Sequence, residues 1–171
     1  MTGIIRQYAD LADATVGEVL DVLGPTIQFI SEPEDPWPCL MRGVIPPGGI
    51  VPLHSHRDQE TFILLSGAME GLRDTRDGPG WVTIRAGEVF HVPSTARHAF
   101  RNLSAGPAVS IVATTATLGR FLREIGTPVR EEAPPLPERI AHFARTAARY
   151  GYWNATPEEN AQVGLSLPIP A

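Results

Sequence analysis

Only one cysteine, Cys39, occurs in the 171 residues, so no internal disulfide can form, and its apolar neighbours Pro38, Leu40 and Met41 mark it as a small buried hydrophobe rather than a reactive thiol. No run of about 18 apolar residues is present, and nothing reads as a membrane-spanning helix. Basic residues are fewer than acidic ones, 14 against 19. They are scattered, which speaks against nucleic acid or an anionic membrane surface as a partner. The opening residues 1–10 lack a basic segment followed by an apolar one, so no signal peptide is read there and the cytoplasm is the expected location. Also missing are a Gly-x-Ser-x-Gly elbow, a phosphate loop and a dinucleotide fingerprint. Nucleophilic-serine and nucleotide-driven chemistry therefore have no support.

What the chain has in quantity is punctuation: 17 prolines and 16 glycines. With 43% hydrophobic and 19% charged residues it reads as one soluble globular domain, long enough for a good core. Strands are expected over 39–45, 50–56, 60–66, 68–73, 81–85, 88–92, 97–102 and 107–115. Short strands separated by turns, with no helix between them, predict an all-β antiparallel barrel or jelly roll over 38–116.

Flanking helices complete the expected organisation. Residues 1–37 would supply a helix and a leading strand. Thr15 and Glu18 can form a capping box, Val16, Val19, Leu20 and Leu23 recur at helical spacing, and Gly24-Pro25 ends the run. A strand over 26–30 would follow. Residues 117–171 would form a helical extension, with helices at 118–125 and 137–150, the second closed by Gly151, and a capping box from Thr156 to Glu159.

The chemistry concentrates in two stretches. His54 and His56 are one residue apart on an extended segment, so their side chains share a face. Glu60 follows four residues later at the head of the next strand and can return toward the pair, or instead pair with Arg42 or Arg101. The second stretch, 87–102, offers His98 as a fourth ligand. Three imidazoles and one carboxylate suit Fe, Mn, Ni, Cu or Zn rather than Ca or Mg.

At these residues the sequence resembles the cupins. Their first motif is matched by Gly48, His54, His56, Glu60 and Gly67, and their second by Gly87, Pro93, His98 and Asn102. One position departs. Thr95 stands where the family usually has glycine, which disfavours a positive φ and suggests a slightly different turn. The resemblance implies a cupin-type barrel with one divalent transition metal on His54, His56, Glu60 and His98, and Asn102 fixing strand geometry by hydrogen bonds.

Alternation places Phe62, Leu64 and Phe100 on the faces of the ligands, where they would line a substrate pocket, and Phe121 in the extension could help to close it. Thr61, Ile63 and Leu65 would face outward, an apolar row that favours a homodimer. His91 is read as structural, with a role beside the metal as the alternative. The expected function is a mononuclear metal-dependent cupin acting on a small organic molecule, in a dioxygenase-like or other metal-centred oxidoreductase reaction. The alternatives are a non-catalytic small-molecule binder and an isomerase or hydrolase.

Overall fold

The computed structural model describes residues 17–34 and 38–166. Twelve strands lie among them: β1 (Val19–Asp21), β2 (Thr26–Phe29), β3 (Cys39–Ile45), β4 (Ile50–Ser55), β5 (Glu60–Ser66), β6 (Ala68–Thr75), β7 (Gly78–Arg85), β8 (Val89–Val92), β9 (His98–Arg101), β10 (Ala108–Thr114), β11 (Thr127–Pro128) and β12 (Trp153–Asn154). Three helices accompany them: α1 (Ala116–Ile125), α2 (Leu136–Tyr150) and α3 (Pro157–Gln162). None of these helices is long and apolar enough to cross a membrane.

All strand pairs are antiparallel and fall into two sheets. One runs β11-β1-β2-β3-β10-β5-β8 and the other β12-β4-β9-β6-β7. Strict alternation drives their packing: β3 and β10 bury every second residue, the period-two pattern of a half-covered sheet. Met41, Phe62, Leu64, Met69, Ile84, Phe100 and Val112 belong to one buried cluster. Each such side chain contributes roughly 1.5–3 kcal/mol by leaving water. On the other side of β5 and β8, Ile63, Leu65 and Val89 are exposed.

The helix expected from Thr15 is not continued through the described residues. Val19–Asp21 is instead strand β1, hydrogen-bonded to β2 on one side and β11 on the other, with Leu20 opposite Ile27 and Pro128; Thr15 and Val16 lie outside the described residues. The same apolar residues serve both periods over so short a stretch, and sheet pairing decides between them. Positive φ at Leu23 (57°) and Gly24 (117°) makes the sequence that was read as a helix stop a tight hairpin turn, closed by Val22 N–H on the Pro25 carbonyl. Strands β6 and β7 also run past the expected 68–73 and 81–85, pairing as far as Thr75 and Gly78.

The C-terminal elements build onto the barrel. Thr115 caps α1 by accepting from Leu118 N–H, and Gly119 on that helix sits so close to β3 that a Cβ there would lie 2.6 Å from Cys39 Sγ. Gly151, at φ 72°, ends α2. The chain then pairs β12 with β4, Trp153 opposite Ser55 and Asn154 opposite His54. Thr156 and Glu159 form the expected capping box of α3. Asn160 on α3 accepts from Leu53 N–H at 2.9 Å, tying the helix to the strand that carries His54.

Two turns take positive φ for different reasons. At Gly67 (φ 77°) a side chain would strike the Pro107 carbonyl oxygen, so glycine is required sterically. Thr95, against expectation, takes a positive φ, at 67°. Its N–H donates to the His56 carbonyl at 2.7 Å, and that contact holds an exposed β-branched residue where its backbone costs about 1–2 kcal/mol. Thr95→Gly removes that cost and adds about 0.5–1 kcal/mol of unfolded-chain entropy. It should therefore raise stability by roughly 0.5–1 kcal/mol in denaturant titration; a loss of stability would contradict the strain.

Candidate metal centre

The four ligand candidates come from both sheets. His54 sits near the end of β4 and is the direct cross-strand partner of His98, the first residue of β9. Glu60, the first residue of β5, reaches in from the opposite sheet, and His56 lies on the connection between β4 and β5. A register shift between Val51 and His54 frees the end of β4 to turn toward Glu60. Each of the four offers one donor atom, and these atoms all lie within 4.8 Å of one another. Glu60 Oε2 is 3.0 Å from His98 Nε2 and 3.2 Å from His56 Nε2.

The other ring nitrogen of each histidine is committed elsewhere. His54 Nδ1–H donates to the Pro52 carbonyl at 2.7 Å, His56 Nδ1–H to the Asp58 carbonyl at 2.8 Å and His98 Nδ1–H to the Ala96 carbonyl at 2.9 Å. Each acceptor is two residues from its histidine. With Nδ1 carrying the proton, Nε2 is left as the ligand nitrogen in all three rings.

The residues fit a metal ion on two counts. His56 Nε2 is buried without an aligned hydrogen bond, which is costly unless a further partner takes its lone pair. Adjacent ligands at about 2.1 Å from one ion stand about 3.0 Å apart when their bonds are at right angles, close to both Glu60–imidazole distances. Three imidazoles and one carboxylate favour a first-row transition ion over Ca or Mg. The 3.0 Å contact between His98 Nε2 and Glu60 Oε2 would give way to bonds from both atoms to such an ion.

Electrostatics prepare the donors unequally. Burial would raise the Glu60 carboxyl, but hydrogen bonding and charge attraction from His56 and His98 outweigh it and hold the group well below the usual carboxylate range. Burial, reinforced by His98 and His56, drives His54 down to about 3. Its ring is neutral throughout the physiological range. For His56 burial pulls downward, yet the Glu60 carboxylate prevails and its pKa is raised.

Not every residue singled out from the sequence comes to this centre. Phe100 stands 5.9 Å from the His98 ring and 4.5 Å from Phe62, ring centre to ring centre, so these two fill the barrel directly beneath the histidines. Leu64 is part of the same packed core. Phe121 lies on α1 in a separate aromatic cluster and approaches only through Tyr152, 4.8 Å away. His91 is exposed and bonded to Thr61 at 2.9 Å, on the face opposite the ligands. Asn102 is fully buried and donates to the Ile45 and Gly106 carbonyls, while Arg101 pairs with Glu70, at 2.7 Å, and not with Glu60.

Three neighbours escaped the sequence reading. Asp58 is 6% exposed and its carboxylate accepts from the Thr115 hydroxyl and, at 2.6 Å, from Tyr152. The Tyr152 ring is 5.2 Å from that of His56. Burial and Asp58 push the Tyr152 phenol above its ordinary pKa, so it remains a donor. The one available signal is the cluster of aromatics Tyr150, Tyr152 and Trp153 around the helix stop Gly151.

Metal binding should depend on pH with a defined sign. Neutral imidazole is the ligand, and His56, whose pKa is raised, holds its proton to higher pH, so affinity should rise with pH, about tenfold per unit for each displaced proton. His54 and Glu60 have no proton to give up near pH 6. Calorimetry of Co(II) binding at pH 6, in buffers of differing ionisation enthalpy, should find at most about two protons released; three would contradict the neutral state of His54.

Comparison with known proteins agrees with this geometry. The cupin domain family matches residues 41–114, the span from β3 to β10. No curated protein sequence matches the chain significantly. Among solved structures, the Cnp3 cupin domain of Schizosaccharomyces pombe is similar at 16% identity and a TM-score of 0.51, over 66% of this chain and 78% of that one. A conserved protein with a double-stranded β-helix domain from Klebsiella pneumoniae subsp. pneumoniae MGH 78578 is similar at 14% identity and 0.52, over 64% and 91%. The CENP-C domain of Drosophila melanogaster follows at 12% and 0.50, over 57% and 71%. At such identities these structures speak for the fold alone. The family match, with the two motif stretches that meet at one point inside it, makes residues 41–114 a cupin domain.

Proposed function

We propose that the protein is a mononuclear metal-dependent enzyme acting on a small organic molecule, in a dioxygenase-like oxidoreductase reaction. The observation that carries this reading is the convergence of three Nε2 atoms and one depressed carboxylate at a buried point. Four side chains on a six-coordinate ion leave two positions for outside ligands. Fe(II) would supply redox chemistry with dioxygen there, whereas Zn or Mn would polarise a hydroxyl or carbonyl for isomerisation or hydrolysis. The chain's own residues set the surroundings. Phe62 and Phe100 exclude water from below. His54 is less enclosed than the other three ligands and marks the side from which a substrate would approach. Apolar packing beneath the centre favours a flat or partly apolar molecule, such as an enol, catechol or flavonoid-like diol.

A second reading is a binder without turnover. It is favoured by how fully Phe62, Phe90 and Phe100 occupy the interior below the histidines, which confines a ligand to the His54 side.

Elemental analysis of protein purified without chelator or nickel resin, followed by oxygen-uptake assays over candidate diols, tests both. Stoichiometric Fe with diol-dependent oxygen uptake is the expected result. His98→Ala should weaken metal binding by more than about 100-fold, beyond the 10–100-fold typical of losing an outer partner, and abolish uptake. Uptake that survives loss of the metal would sink the enzyme reading. Ligand-dependent thermal stabilisation without turnover, about 2.7 kcal/mol at a hundredfold excess over Kd, would establish the binder.

A further inference from the structure

The connection between β4 and β5 is fastened from outside the barrel. The Nδ1–H of His56 has one acceptor, the Asp58 carbonyl. The Asp58 side chain is in turn gripped by Thr115, at the start of α1, and by Tyr152, immediately before β12. The neighbouring peptide is pinned as well, since the Thr114 hydroxyl donates to the Gln59 carbonyl at 2.8 Å. Tyr152 itself has little freedom. Its ring packs on Phe121 and Tyr150, its N–H donates to the Ala147 carbonyl at 2.9 Å, and the next two residues are paired with Ser55 and His54.

We propose that Tyr152 is a positioning residue for the metal centre: through Asp58 it fixes the His56 imidazole, so that the ligand set is complete only when the segment after α2 is seated on β4. This rests on the metal-binding reading above. The hydroxyl supplies the directional part of the contact and the ring the packing part. Removing the oxygen alone leaves the aromatic cluster in place and frees the Asp58 carboxylate on one side. The peptide that accepts from His56 Nδ1–H then loses a restraint, and the Nε2 lone pair loses its aim. Losing a group that hydrogen-bonds a ligand directly typically costs 10–100-fold in metal affinity, and Tyr152 acts one contact further out, through the Asp58 side chain.

The test compares wild type, Tyr152→Phe, Asp58→Asn and, as a control on the outer face, His91→Ala. Three measurements are made on the intact chain: Co(II) affinity by chelator competition, the Co(II) d–d spectrum, and the tautomer of His56 by long-range 1H–15N NMR without metal. Tyr152→Phe should bind Co(II) about tenfold more weakly, the lower end of that range, with altered d–d bands and, at alkaline pH where the His56 ring is neutral, loss of its single Nδ1–H tautomer, while melting close to wild type. Asp58→Asn should shift the same three readouts in the same direction, and His91→Ala none of them. If wild type binds no Co(II), the metal reading fails and the inference with it. If wild type binds and Tyr152→Phe matches it in affinity, spectrum and tautomer, the positioning role alone is overturned. A lowered melting temperature with unchanged Co(II) affinity would likewise reduce Tyr152 to packing and overturn it.

Discussion

Three ring N–H groups donating to three peptide carbonyls are the constraint on which the centre depends. A histidine whose proton can move between its nitrogens, or whose ring can rotate, is an indifferent ligand. Here each ring is fixed by a carbonyl two residues away on its own segment, so the orientation of the imidazole is inherited from the local backbone. The backbone is inherited from the sheets: β4 and β9 set His54 against His98, and β5 brings Glu60 across from the other sheet. The acidic group then sorts the protonation states, ionised beside imidazoles that hold it so. The four donor atoms are brought together by the fold alone.

The barrel and its C-terminal extension are one mechanical unit at this point. Thr115 caps α1 with the same hydroxyl that it offers to Asp58, so the start of that helix and the β4–β5 connection share an anchor. Further along, Arg97 lies over Trp153 at 4.4 Å and Arg101 over Trp81 at 4.0 Å. Asn160 reaches the backbone of Leu53. Cation–π contacts of this sort add about 0.5–1 kcal/mol each at exposed positions, modest singly but directed at the strands that hold the ligands.

Much of this was legible in the sequence, and the exceptions have physical causes. The His54–His56 pair could be read because side-chain alternation is local, whereas Glu60 and His98 were read from the spacing of two motifs that resemble those of a known family, and the fold brings all four together. The eight barrel strands were legible for the first of these reasons, bounded by glycine and proline. The stretch 19–21 was not, because its apolar spacing fits either period and only the long-range partners β2 and β11 decide. Thr95 misled in another way. Propensity spoke against a positive φ, but a hydrogen bond to the His56 carbonyl outweighs a preference of one or two kcal/mol. Asp58 and Tyr152 lay beyond reach because 94 residues separate them, and no periodicity links a loop carboxylate to a tyrosine past a helix. His91 shows the converse: it sits inside the second motif, yet faces away.

Strand β12 has a further consequence. Two residues long, it covers the rim of β4 beside His54, where backbone groups would otherwise be open to any passing extended chain. The far rim of that sheet, β7, carries its own guard in Pro79, which has no N–H to offer. The tail therefore shields the molecule from its own copies at the margin where the ligands lie. A nick or truncation that released it would leave a sticky seam next to the histidines, and self-association would begin at the part of the barrel least able to tolerate it.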